Sequence, residues 1–329
     1  MLALPGCYLT HLAGGQARVL LASRPIPEVL RDPTSGPALR DALSLVAPTR
    51  DFARGLGLRV AGQYTSYAAW PGDRVVTSLV ATRPGEIDAA GFWFPLVGTV
   101  PYQGFFDASR AEAEAARLRA RGLDTCLVPV PAYSTLGWFD DPVTQPMLGA
   151  GPGNLVEVLI HELVHATVYV PSDADFDEGV ATFIGQEGAL RFFAGDAEAE
   201  AREQARIADQ RAVAGVVSEL RARVAALYAA PDTGSRRTRR SELESEARAA
   251  LAALPLATPA AARWAAATPL NDACLALAGT YERDLGAYGA RLAALGGDLH
   301  AFVAAVRAAA EAPEPRAALG LPAAVAGGR

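Results

Sequence analysis

Residues 161–165 read His-Glu-Leu-Val-His, inside an apolar run from Leu155 to Val170. On a helix, two imidazoles four residues apart share one face about one turn apart, so both can reach a single ion. The glutamate between them points toward the same ion and can act as its base. The chain contains four histidines and spends two here. Leu159, Ile160, Leu163 and Val164 flank the pattern and bury the segment, and buried polar groups need partners. The pattern therefore calls for a helix over 152–170 that ends at Pro171. His161 and His165 are its candidate metal ligands, and Glu162 is its candidate catalytic group.

The chain has 329 residues, enough for one large domain or two, and half of them are apolar. Every basic residue is arginine, and the net charge is −6, which argues against general nucleic-acid binding. The basic cluster Arg236-Arg237-Thr238-Arg239-Arg240 follows the turn-like Pro231-Asp232-Thr233-Gly234-Ser235 and is expected as a solvated loop. Three cysteines, Cys7, Cys126 and Cys274, are odd in number and widely spaced, so no disulfide framework is expected. Cys126 reads as a core residue of the run Cys126–Val130. Cys7 follows Leu2-Ala3-Leu4-Pro5-Gly6, which looks like the end of a bacterial lipoprotein signal, although the basic and apolar front of such a signal is missing. No run of eighteen apolar residues is present, so no transmembrane helix is expected.

Residues 8–50 read as interrupted helix, with an amphipathic piece at Gln16–Ser23, a break at Pro25 and Pro27, and a restart over Pro37–Val46. Val75–Ala81 and Phe92–Val100 read as strands of a meander, and Thr125–Val130 as a further strand. Between them Ala108–Gly122 is a helix stopped by Gly122. An aromatic loop spans Tyr133–Asp141, and a second helix after the motif spans Asp177–Phe193. From Ala197 to Arg316 the chain is alanine-rich and helical, with breaks near Pro231, Pro255–Pro259 and Gly296-Gly297. The expected class is α+β.

A catalytic zinc takes three protein ligands and keeps one open position. The metzincin pattern needs glycine three residues and histidine six residues after the second histidine; Val168 and Pro171 stand there instead. A carboxylate further on remains. Phe176-Asp177-Glu178-Gly179-Val180-Ala181 contains E-x-x-A and resembles the second-helix motif of gluzincins. The connection Val168–Asp175 is long enough to send an antiparallel helix back, and Gly179 and Ala181 are small enough for close packing. Glu178 is the favoured third ligand. Asp173, Asp175 and Asp177 are its rivals, and Asp175 and Asp177 better suit an acidic first turn facing the helix dipole.

Taken together, Arg50–Ala53, Phe94–Gly98, Val100–Asp107, Pro131–Pro142, His161–His165 and Phe176–Thr182 resemble the bacterial putative aminopeptidase family, predicted zinc-dependent peptidases of gluzincin type often made as envelope lipoproteins. The resemblance covers roughly residues 8–195 and thins over the helical tail. It implies a zincin-like core, a sheet plus two helices carrying H-E-x-x-H and glutamate, followed by a large helical C-terminal part. The expected division is 1–7 as a signal remnant, 8–195 as the metallopeptidase core and 196–329 as a helical region packed on it. One zinc per chain and a peptide substrate are expected, with Glu162 moving the proton of a metal-activated water. Tyr102, Tyr133 and Tyr169 are candidates for substrate binding, and one of Asp140, Asp141 and Glu187 for holding a substrate amine. Asp177 stands where an asparagine is common before the ligand glutamate, a change that alters a neighbouring contact rather than metal binding. Thr125–Leu136 is the candidate edge strand for pairing with substrate. The expected location is the bacterial cell envelope, facing the periplasm, through a lipidated Cys7; it is the cytoplasm if the N-terminal match is accidental. The competing expectation is a metal-binding envelope lipoprotein with a scaffolding role and little turnover.

Overall fold

The computed structural model describes residues 6–94, 98–132, 140–171, 173–232, 234–282 and 284–321. The start of the lipoprotein-like segment, residues 1–5, lies outside them, as does most of the aromatic loop. Helix α1 (Gly6–Leu21) leads to a three-residue strand β1 (Ser23–Pro25), then α2 (Ile26–Arg31), α3 (Pro37–Ser44) and α4 (Val46–Gly55). Pro25 and Pro27 end one helical run and begin the next, since α2 carries proline in its first turn, where its missing N–H costs nothing. Next come β2 (Ser66–Ala68), β3 (Val76–Thr82), β4 (Phe92–Phe94), β5 (Gly98–Val100) and β6 (Tyr102–Phe105). The expected long strand over 92–100 is instead a small antiparallel hairpin, with Phe92 opposite Val100. Helix α5 (Ala108–Ala120) begins at Asp107, whose side chain accepts from the Ser109 amide, and stops before Gly122, whose φ is +83°.

Strand β7 (Asp124–Val130) completes the main sheet, whose order is β6-β3-β7, all antiparallel. It is not a meander. The middle strand β3 is buried at every position, and α5 packs across the sheet. A second sheet joins β1 and β2 with β8 (Val143–Thr144), which runs parallel to β2 and leads into α6 (Gln145–Leu148).

The motif helix is α7 (Pro152–His165), and α8 (Ala174–Phe192) returns beside it. Helix α7 ends at His165, five residues before the expected Val170. The amides of Thr167 and Val168 both turn back to the Val164 carbonyl, and the Val170 amide is taken by the Asp177 carboxylate of α8. The residues beyond His165 thus build the turn rather than the helix. Helix α8 starts earlier than expected, because Asp173 caps it by accepting from the Phe176 amide. Gly185 and Gly188 set how near the two helices lie. A Cβ at Gly185 would stand 3.0 Å from the Glu157 carbonyl oxygen, and one at Gly188 would stand 2.8 Å from Ile160 Cδ1. Gly179, expected to serve this purpose, instead makes room for Tyr288, whose Oη would lie 2.9 Å from an added Cβ. Gly185→Val is therefore expected to force α7 and α8 apart, costing about 1–3 kcal/mol as other overpacked cores do. A fall in the denaturation midpoint checks this.

The tail continues as α9 (Ala197–Ala229), α10 (Arg236–Ala253), α11 (Pro259–Ala267), α12 (Asp272–Glu282), α13 (Leu285–Ala294), α14 (Leu299–Ala310) and α15 (Pro315–Leu319). The basic cluster is the opening of α10 rather than a solvated loop. Arg240 bonds Asp272 at 2.8 Å, Arg239 bonds Glu242 at 2.9 Å, and Arg236 lies 5.9 Å over the Tyr228 ring. Tyr288, Leu292, Phe302, Val303 and Val306 of α13 and α14 join α4, α7 and α8 in one core. Helix α12 packs on α8, on α9 and against the outer sheet face at β3 and β7. A Cys126–Cys274 disulfide ties β7 to α12 across 148 positions. Cys126 is the core residue expected, but the expectation of no disulfide fails, because spacing along the chain does not limit spacing in the fold. Among the described residues no single helix is long and apolar enough to cross a membrane.

Candidate active site

Helix periodicity puts His161 and His165 on one face of α7, one turn apart, where their rings meet edge to face with centroids 4.8 Å apart. Their Nε2 atoms are 3.1 Å from each other. Glu178, on the facing side of α8, places Oε2 at 3.3 Å from His161 Nε2 and 3.4 Å from His165 Nε2. His165 and Glu178 are buried and His161 partly so. Three potential ligand atoms thus form a triangle with edges of 3.1–3.4 Å. Tetrahedral ligands held about 2.0–2.1 Å from a zinc ion lie roughly 3.3–3.4 Å apart, so the residues fit such an ion with no rearrangement of the helices.

The electrostatics point the same way. Burial alone would raise the Glu178 carboxyl, but the charge and hydrogen bonds of the two imidazoles hold it well below the usual carboxylate range. Burial disfavours charge on His165, yet Glu178 beside it pushes its pKa up to about 9. The pocket therefore favours net positive charge between these three groups, which a bound cation supplies while displacing the proton.

Glu162 is next to this triangle and outside it. It is 8% exposed, and its Oε2 is buried with no hydrogen-bond partner. Burial raises its pKa, partly offset by the neighbouring imidazoles. A carboxylate left unsatisfied in the interior is costly as a structural element and suited to receiving a proton.

Of the rival third ligands, Asp173 is the α8 cap, and Asp177 accepts from the Val170 amide at 2.9 Å. Burial raises the Asp177 pKa to about 7. The cluster contains Glu178 and neither of these, nor Asp175. Tyr102, on β6, donates to Glu178 Oε1 at 3.1 Å. Tyr169 is 36% exposed, in the turn after α7, where the Asp177 charge acts on it. Tyr133 lies outside the described residues. Among the acids considered for a substrate amine, Glu187 is committed to Arg191 at 2.6 Å and Arg211 at 2.8 Å. Asp140 is exposed, whereas Asp141 is buried and its charge acts on Glu162.

The sequence did not point to Tyr281. It lies on α12 and stacks on His161 with centroids 6.4 Å apart and planes 19° from parallel, and the Glu178 charge acts on its hydroxyl. An available signal was its place seven residues after Cys274 on the same helix, which puts both on one face.

A mixed α+β protein that buries two histidines and a glutamate between paired helices is the class defined by this fold and cluster. A family model described as "Putative aminopeptidase" matches residues 7–319, through the helical tail as well as the motif half, and the chain belongs to that family. No curated protein and no solved structure matches the chain.

Proposed function

We propose that the protein is a zinc-dependent peptidase of gluzincin type with a zincin-like core, acting as an aminopeptidase. The observation that carries this is the triangle of His161, His165 and Glu178 with the unpartnered Glu162 oxygen beside it. His161, His165 and Glu178 would hold the ion. When bound, zinc would lower the pKa of a water to about 7 and polarise the scissile carbonyl. Glu162 Oε2 accepts the proton of the attacking water and returns it to the departing amine. Strand β7, at an edge of the main sheet, is the candidate for pairing with an extended peptide.

The family description supports peptide hydrolysis, and the chemistry of the ligand set supports zinc. Purified protein is expected to bind about one zinc per chain and to cleave a mixed peptide pool, with cleavage stopped by a chelator and restored by zinc. Zinc binding without cleavage across a broad library would leave the scaffolding alternative in its place.

We propose further that the protein works in an oxidising compartment, at the bacterial cell envelope. The buried Cys126–Cys274 bridge supports this, since such bonds persist outside the reducing cytosol. With two of three cysteines in that bridge, Cys7 is the odd one, which suits acylation. Cells fed a fatty-acid probe are expected to label the wild type and not Cys7→Ser; equal labelling of the two ends the lipoprotein reading.

A further inference from the structure

We infer that Tyr102 and Tyr281 are positioning residues, which fix the orientation of the Glu178 carboxylate so that a single oxygen faces the metal. The inference rests on reading His161, His165 and Glu178 as a metal centre. The two oxygens of Glu178 have separate partners. Oε2 faces both imidazoles, while Oε1 accepts from the Tyr102 hydroxyl at 3.1 Å. Tyr281 lies along the His161 ring, and the same carboxylate is among the charges acting on its hydroxyl. The terminal torsion of a glutamate is broad, so burial alone does not choose which oxygen points at the ion. The Tyr102 hydroxyl does choose, because a buried oxygen that swings away from it loses its hydrogen bond, and Tyr281 walls the site along the His161 ring.

Neither tyrosine belongs to the helix pair that carries the three ligands, yet both stand on one cross-linked frame. Tyr102 on β6 is directly opposite Val80 on β3, and Val80 is directly opposite Cys126 on β7. Residues opposite one another in a sheet share a face, so this row presents Tyr102, Val80 and Cys126 to the same side. These three residues pack with Ala273, Cys274, Ala276 and Leu277 of α12. Cys126 is bonded to Cys274, and two helical turns further on α12 brings Tyr281 to the same face. The cystine therefore couples the strand row that ends in Tyr102, against Glu178, to the helix that bears Tyr281, against His161.

The test compares Tyr102→Phe, Tyr281→Phe and the double variant with the wild type. Zinc affinity is measured by competition with a chromophoric chelator, alongside the melting of each metal-free protein. Phenylalanine keeps the ring packing and removes only the hydroxyl. Tyr288→Phe is the control, because the Tyr288 hydroxyl is also buried, has no hydrogen-bond partner among the described residues, and faces the charges of Asp284 and Arg316 rather than the cluster. Outer-shell donors to metal ligands are typically worth about 10–100-fold in affinity. Each single variant is expected to bind zinc that much more weakly, with metal-free melting close to wild type, while Tyr288→Phe binds as the wild type does. Unchanged affinity in both single variants overturns the inference, and so does an equal loss in Tyr288→Phe. A wild type that binds no zinc instead removes the metal-centre reading itself, so the two failures are told apart.

Discussion

Glu162→Gln is expected to lower peptide turnover by about 10²–10⁴-fold while the protein keeps its zinc. The substitution preserves shape and hydrogen-bonding capacity and removes only the basic oxygen. Glu162 stands outside the ligand triangle, and its Oε2 has no hydrogen-bond partner, so no metal–ligand contact is lost with its charge. His161→Ala and Glu178→Ala are expected to behave differently, losing metal and activity together, because each removes one corner of the triangle. Elemental analysis beside hydrolysis of a mixed peptide pool separates the two outcomes. Wild-type turnover in Glu162→Gln would end the proposed mechanism. Retention of zinc by Glu178→Ala, with loss in Asp173→Ala or Asp175→Ala, would move the third ligand.

Breaking the Cys126–Cys274 bridge, by reductant or by the double variant Cys126→Ser/Cys274→Ser, is expected to destabilise the protein by about 2–5 kcal/mol. The bridge closes a loop of 148 positions, toward the long end of what such bonds span, and in the loop-closure picture that gives on the order of 5 kcal/mol. Both cysteines are buried against Val80, Ala273 and Ala276, so reduction also leaves two thiols in a packed site. Denaturant unfolding with and without reductant measures the effect. The reduced wild type and the unreduced double variant should unfold at similar denaturant concentrations. If reductant leaves the wild-type midpoint where it was, the bridge is not a stabilising element in solution.

The sequence carried the helix pair and the chemistry of its ligands well, for a physical reason. His161, Glu162 and His165 lie within one and a half turns, so helix periodicity alone sets their mutual placement. Glu178 follows after a short return, which leaves few ways to face α7. The stop at Gly122 and the breaks in the tail were also legible, because glycine and proline act locally. Other features depended on partners remote in the chain. Strands β1, β2 and β8 have two or three residues each and exist only through pairing with one another. The end of α7 was misjudged because Asp177, on the next helix, captures the Val170 amide. The arginines of α10 looked solvated because Asp272, the partner of Arg240, lies on another element. Tyr281 and the cystine were missed for the same reason, since proximity between α12 and β7 is a product of the whole fold.

The shared core of α4, α7, α8, α13 and α14 also sets when, during synthesis, this molecule can become competent. Phe302, Val303 and Val306 are among the last core residues made, and they pack with Ala53 and Leu56, which are among the first. Contacts of such separation close late and fold slowly. Until α13 and α14 dock, the α8 face that receives Phe302 and Tyr288 stays bare, an exposed apolar surface of the kind chaperones hold. The helix pair that carries the candidate ligands therefore gains its full support only once α13 and α14 have docked, which sets an order in which fold precedes any chemistry at the site.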